Sequence, residues 1–243
     1  VAGDQDHNVV STISFEVRAG ETVGIVGPPG SGKSTIANLL PRFYDVTGGR
    51  ITIDDQDIRD VTLESLRNAV GTVQQDTFLF TAPIERNVAY GDPLADSDRI
   101  AAATDSAQLH DYVVGLPMGY RTLVGERGIS LSGGQRQRLS IARSILPTPA
   151  VMVFDDSTAA IDAATEQRIR AALREATANQ ATIIISHRLG SLMHANEILF
   201  IESGRIVERG NHKDLIAAKG RYAELYNLQV NPVSDSPEGS VPS

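Results

Sequence analysis

The chain has 243 residues, 41% of them hydrophobic and 21% charged, with a formal net charge of −8. Those proportions fit a soluble globular protein with a substantial core, either one large domain or one domain carrying an inserted subdomain. The acidic balance argues against bulk affinity for nucleic acid, and the absence of cysteine excludes disulfides, thiol nucleophiles and cysteine–zinc sites. No apolar run approaches the roughly 18–20 residues of a membrane helix, and there is no signal-peptide pattern. The chain starts at Val1 rather than methionine and reads as a domain cut from a longer polypeptide.

Taken in order, Val9 to Val17 reads as an early strand, and Ala19-Gly20-Glu21 as the turn into a β-branched run, Thr22, Val23, Ile25 and Val26. That run opens directly into Gly27-Pro28-Pro29-Gly30-Ser31-Gly32-Lys33-Ser34, followed by a helix-compatible stretch from Thr35 to Leu40. Strand, glycine-rich loop and helix, with the spacing G-x-x-x-x-G-K-[ST], form a phosphate-binding pattern. Glycines let the backbone curl so that successive N–H groups converge on a polyphosphate, and the helix N-terminus adds its positive dipole end. Lys33 reaches toward β- and γ-phosphates, and the Ser34 hydroxyl suits Mg²⁺. Gly27 to Thr35 is therefore a candidate nucleotide cradle.

Beyond it, Ile51 to Ile53 and Asp57-Ile58 flank a hairpin turn at Asp54-Asp55. Thr62 to Asn68 has helical spacing, and Ala69 to Val73 returns as a strand. From about Pro83 to Pro147 strand-like runs disappear. Asp96 to Ala107, Leu109 to Val114 and Leu131 to Leu146 read as helical, which predicts an inserted helical subdomain closed by Pro147 and Pro149. Strands resume at Val151 to Phe154, Thr182 to Ser186, Glu197 to Ile201 and Arg205 to Glu208. Ala163 to Ala176, His212 to Ala218 and Arg221 to Leu228 read as helices. Residues 231–243 are rich in Pro, Ser and Gly and are expected to be disordered. The expected fold is α/β: a P-loop core with a mixed, mostly parallel sheet, flanking helices and an antiparallel β subdomain, plus the helical insertion, all within residues 1–230.

Two further stretches carry chemistry. Asp155 and Asp156 end a buried strand, where a carboxylate can hold Mg²⁺ through its water shell; the plainer alternative is that both acids begin a turn. Ser132, Gly133, Gly134 and Gln135 open a helix and offer a hydroxyl and free N–H groups to an anion; the plainer alternative is an N-capped helix.

Together these segments resemble the nucleotide-binding domain of an ATP-binding cassette (ABC) transporter. The P-loop, Leu131-Ser132-Gly133-Gly134-Gln135, the strand VMVFDD at 151–156 and the histidine of Ser186-His187-Arg188 stand in the family's order over roughly 220 residues. VQQDTFLF (73–80), NVAYGDP (87–93), VGERGISLSGGQ (124–135) and GRIVERGNHKDL (204–215) are similar to the exporter branch, where the domain follows a transmembrane half. The resemblance implies ATP and Mg²⁺ as ligands and places the domain at the cytoplasmic face of the membrane. It makes Gln75 the glutamine that touches Mg²⁺ and the attacking water, Asp155 the metal aspartate, and His187 the γ-phosphate contact. Ser132 to Gln135 becomes the signature that closes the site of a second, head-to-tail nucleotide-binding domain. Asp162 lies at the loop after the metal strand, and Glu126 near the expected contact with the membrane domain. Nucleic acid is not an expected partner, and His7, His110, His194 and His212 match no motif and are expected at the surface.

Two departures stand out. Asp156 occupies the position of the family's glutamate base and is one methylene shorter, about 1.5 Å of reach, when a base must sit within about 2.6–3.2 Å of its proton. Val1 to Ser14 contains no aromatic residue to stack an adenine. An intact signature beside a short base is the pattern of one half of a heterodimeric exporter. The alternative is a regulatory module that binds ATP with little or no hydrolysis.

Overall fold

The protein is described by a computed structural model covering residues 9–74, 78–125, 129–155 and 163–230. The expected positions Gln75, Glu126, Asp156 and Asp162, and the tail from 231, lie outside the described residues. In chain order the elements are β1 (Thr22–Val26), α1 (Lys33–Leu39), β2 (Thr52–Ile53), β3 (Gln56–Asp57), α2 (Leu63–Ala69), β4 (Val70–Val73) and β5 (Ala82–Pro83). Then follow α3 (Ile84–Val88), α4 (Ser97–Ser106), α5 (His110–Val114), β6 (Leu123–Val124), α6 (Gly133–Ile145) and β7 (Val151–Asp155). The last are α7 (Ala163–Ala176), β8 (Ala181–Ile185), β9 (Glu197–Glu202), β10 (Arg205–Gly210), α8 (His212–Ala218) and α9 (Arg221–Val230).

Six strands form one sheet in the order β10-β9-β1-β8-β7-β4. Every pairing is parallel except β9 with β10. The α/β fold with a mixed, mostly parallel sheet is thus as expected. The inner strands are apolar along most of their length because a parallel sheet is covered on both faces. Alternation along β7 separates those faces: Val151 and Val153 enter one core with Ile36 and Ala37 of α1 and Leu66 of α2. Met152 and Phe154 enter the other, with residues from α3 to α7, among them Ile84, Leu139 and Ile169. A third core gathers Val26, Ile198 and Phe200 with Leu215 of α8 and Tyr222 of α9.

The Asp54-Asp55 turn has φ of +50° and +63°, the left-handed pair that a two-residue hairpin needs, and β2 and β3 pair across it. Thr62 caps α2 by accepting the Ser65 N–H at 3.2 Å. Three expectations change. Val9 to Val17 is not a strand: Val10, Ile13, Phe15 and Val17 pack on the core of Val151 and Val153, but Thr12 at φ +57° breaks the extended run. Between Pro83 and Pro147 strand structure does persist, as β5 paired antiparallel with β6; two-residue strands are too short to show a period. His110 and His212 are half-buried rather than at the surface. Their Nδ1 atoms lie 2.8 Å from the hydroxyls of Tyr120 and Tyr222. Desolvation, with a smaller contribution from His194, lowers the pKa of His212 below its usual value. Burial pushes the Tyr222 hydroxyl up to about 12.

Candidate functional site

The glycine-rich loop leaves the C-terminal end of β1, the edge of a parallel sheet where ligands gather. Gly27 passes so close to β9 that a Cβ there would collide with the Ile201 carbonyl and come within 3.0 Å of Ser31 Oγ. Gly30 (φ +76°) and Gly32 (φ +101°) adopt the left-handed backbone that curls the loop. Gly30 opens onto free space, whereas a Cβ at Gly32 would meet Val10 Cγ1 at 2.6 Å. Beneath the loop, the Gly204 N–H donates to the Ser31 carbonyl at 3.1 Å, and the Ser11 N–H donates to the Gly204 carbonyl at 2.7 Å. The curl is thus braced from behind by the β9–β10 turn and the Val9–Ser11 segment.

Lys33, the first residue of α1, folds back under this curl and is 5% exposed. Its ammonium donates to the carbonyls of Gly27 and Pro28, each at 2.9 Å, and to Ser31 Oγ at 3.4 Å. These three acceptors are neutral oxygens of the loop itself. A polyphosphate at the same place offers charge-assisted bonds about twice as strong. Pro28, Pro29 and Gly30 are exposed along the rim, and Ser34 and Thr35 follow at exposed and half-buried positions of the first helical turn.

The register brings further groups to this edge. Ile25 pairs with Ile185, and Ile185 with Asp155, so three neighbouring strands end in one row. With strands about 4.8 Å apart, the half-buried Asp155 backbone lies about 10 Å from that of Ile25. His187 lies two residues past the end of β8, between them, and is exposed. Lys33, Ser34, Asp155 and His187 therefore share one edge. Among the described residues no three His, Asp or Glu side chains converge as a metal cluster. The Ser34 hydroxyl and the Asp155 carboxylate are hard oxygen donors of the kind Mg²⁺ takes while retaining several waters.

Ser132 to Gln135 lies elsewhere. Ser132 Oγ accepts the Gln135 N–H at 3.2 Å, and Gln135 Oε1 accepts the Ser132 N–H at 2.8 Å, a reciprocal capping box. The far end of α6 is tied to the sheet where Ser144 Oγ donates to the Thr72 carbonyl at 2.8 Å. Twelve residues at about 1.5 Å each put Ser132 about 18 Å along the helix from that tie. α6 packs on α3, α4 and β4, none of which carries the glycine-rich loop.

Sequence reasoning missed the residues that hold the His187 loop. Glu166, 3% exposed in the first turn of α7, accepts from Arg188 Nη1 and Ser191 Oγ, each at 3.1 Å. Gln229 near the end of α9 bonds the backbone on both sides of Arg188. No motif marks either residue; each acts across more than twenty positions. Also unforeseen is Arg143 of α6, whose Nη2 donates to the Phe78 carbonyl at 2.9 Å and whose guanidinium lies 5.6 Å from the Phe80 ring. Burial lowers its pKa.

A glycine-rich loop at the C-terminal edge of a parallel strand, with a buried lysine inside it and a carboxylate two strands away, defines a phosphate-binding α/β protein of the P-loop class. The family described as ABC transporter matches residues 10–159, and the chain belongs to that family. It is 45% identical over 231 residues to YknU, an uncharacterized ABC transporter ATP-binding protein of Bacillus subtilis, covering 95% of this chain and 40% of that one. It is 46% identical over 226 residues to a putative multidrug export ATP-binding/permease protein of Staphylococcus aureus, covering 93% and 39%. The solved structure of a bacterial Atm1-family ABC exporter with ATP bound superposes with a TM-score of 0.88 at 46% identity, over 94% of this chain and 40% of that one. The chain thus spans about two fifths of the length of these relatives.

Proposed function

We propose that the chain is the ATP-binding and ATP-hydrolysing motor domain of an ABC exporter, acting at the cytoplasmic face of a membrane. The observation that carries this reading is the braced loop with the Lys33 ammonium inside it, 2.9 Å from two of its carbonyls. The kinship with an exporter solved with ATP bound supports ATP as the ligand. In this reading residues 1–230 form the nucleotide-binding domain with a helical part at about 83–147. Gly27 to Thr35 wraps the phosphates, Lys33 holds the β- and γ-phosphates, and His187 approaches the γ-phosphate. Ser34, Gln75 and Asp155 would hold Mg²⁺, which would supply neutralisation of phosphate charge.

Ser132 to Gln135, on a helix that packs chiefly on α3, α4 and β4, completes the site of a second nucleotide-binding domain, and a transmembrane domain receives the motion. The relatives' names, an ATP-binding/permease protein among them, support the second of these partners. Asp156 stands as the base, shorter by one methylene than glutamate, so turnover at this chain's own site is slow. A different partner chain with a longer base is the favoured arrangement. ATP turnover of Asp156→Glu and Asp156→Asn tests this: Glu is expected to raise the rate about tenfold or more, and Asn to abolish it. If Glu adds nothing and Asn abolishes turnover, Asp156 is already a competent base. If neither change matters, the chain is a regulatory ATP-binding module.

A further inference from the structure

The loop after β8 that carries His187 is held at several points. The buried Ser186 extends the strand ladder, its N–H donating to the Ile25 carbonyl at 3.2 Å, and its hydroxyl accepts the Arg188 N–H at 3.0 Å. Arg188 and Ser191 converge on the buried Glu166 carboxylate, and Leu189 and Leu192 enter the third core. The remaining tie comes from the opposite end of the chain. Gln229 Nε2 donates to the His187 carbonyl at 2.6 Å, and Gln229 Oε1 accepts the Leu189 N–H at 3.0 Å.

One side-chain amide therefore satisfies an acceptor and a donor on the two sides of Arg188. A single hydrogen bond leaves a peptide free to swivel about it. Two bonds from the donor and acceptor ends of one planar amide set its position and its orientation together. Gln229 can do this because α9 is anchored: Glu208 of β10 accepts the Tyr222 N–H at 3.1 Å as well as the Arg221 N–H, and Tyr222 is fully buried.

We propose that Gln229 is a positioning residue for hydrolysis: its amide clamps the backbone from His187 to Leu189, so that the exposed imidazole is presented at the sheet edge beside the phosphate loop. The end of α9 thereby becomes a control point for the site, through backbone rather than through contact with the nucleotide. This rests on the reading of His187 as the γ-phosphate contact.

The test compares variants of the 243-residue chain by ATP turnover, KM for ATP, Tm, and hydrogen exchange of the Leu189 amide without nucleotide. Gln229→Leu removes both bonds at similar length. It is expected to speed Leu189 exchange about tenfold, to lower kcat about fivefold to tenfold, and to leave KM within about twofold. Because Gln229 is exposed at a helix end, Tm is expected to move by about 2 °C or less. Gln229→Glu keeps the acceptor for Leu189 but sets a carboxylate against the His187 carbonyl. It is expected to keep Leu189 protected and still lower kcat, a split that general loosening of α9 does not produce. Unchanged exchange and unchanged kcat in Gln229→Leu overturn the proposal, and so does a fall in kcat that comes only with a large loss of Tm. His187→Ala separates the two readings: if it turns ATP over like the parent, the assignment of His187 fails, and Leu189 exchange still decides whether the clamp exists.

Discussion

The glycine-rich loop and the N-terminus of α6 both offer backbone N–H groups at the start of a helix, yet they are finished differently. Gly27 to Ser34 is braced from three sides, by Ile201, by the Gly204 turn and by Val9–Val10, and it encloses the Lys33 ammonium. Ser132 to Gln135 is exposed or half-buried and satisfied by its own capping box. The first is a loop whose curl and buried ammonium are both built within the chain. The second is a self-capped helix start about 18 Å along α6 from the Ser144 tie to β4, and its proposed use lies in a second chain. Two segments with similar local chemistry thus differ in what their surroundings complete.

Substitutions at the two places should give opposite patterns. The largest effect is expected from Gly27→Ala, which drives a Cβ into the Ile201 carbonyl. A loss of about 3 kcal/mol of stability, from steric and backbone strain, would appear as a lower urea midpoint. Lys33→Ala removes an ammonium that charge-assisted phosphate bonds require, and ATP affinity measured by calorimetry should fall about a hundredfold. Ser132→Ala loses the cap of α6, for about 1 kcal/mol of stability. It should leave ATP affinity of the isolated chain unchanged while weakening ATP-driven dimerisation, read by size exclusion. The comparison breaks if Ser132→Ala weakens ATP binding as much as Lys33→Ala does, because the two segments would then serve one site in one chain.

Much of this was legible in the residues. A β-branched run marked β1 and mostly apolar runs marked β7, β8 and β9, because strands buried on both faces need long apolar stretches. The limits of α7 and α8 agree with their sequence pattern, and Asn211 caps α8 by accepting the Asp214 N–H at 3.0 Å. What escaped was structure without period or motif: the two-residue pair β5 and β6, and Val9 to Val17, where alternation persists but Thr12 interrupts the backbone. The half-burial of His110 and His212 also escaped, since a tyrosine ten positions away in sequence supplies the partner.

By itself, the sequence determined the chemistry available at the phosphate loop, since curl, donors and lysine are all encoded within eight consecutive residues. It also determined that a second, short carboxylate, Asp156, follows Asp155 at the end of the apolar run 151–154. Only the tertiary structure decided which residues stand together. Strand register set Asp155 and the β8 end in one row with β1, and the length of α6 set Ser132 about 18 Å along the helix from its Ser144 tie to Thr72. The folding of α9 back onto the loop after β8 brought Gln229 to His187 across 42 positions. Local patterns encode backbone conformation and which face is buried, whereas the meeting of distant polar groups depends on how whole elements pack.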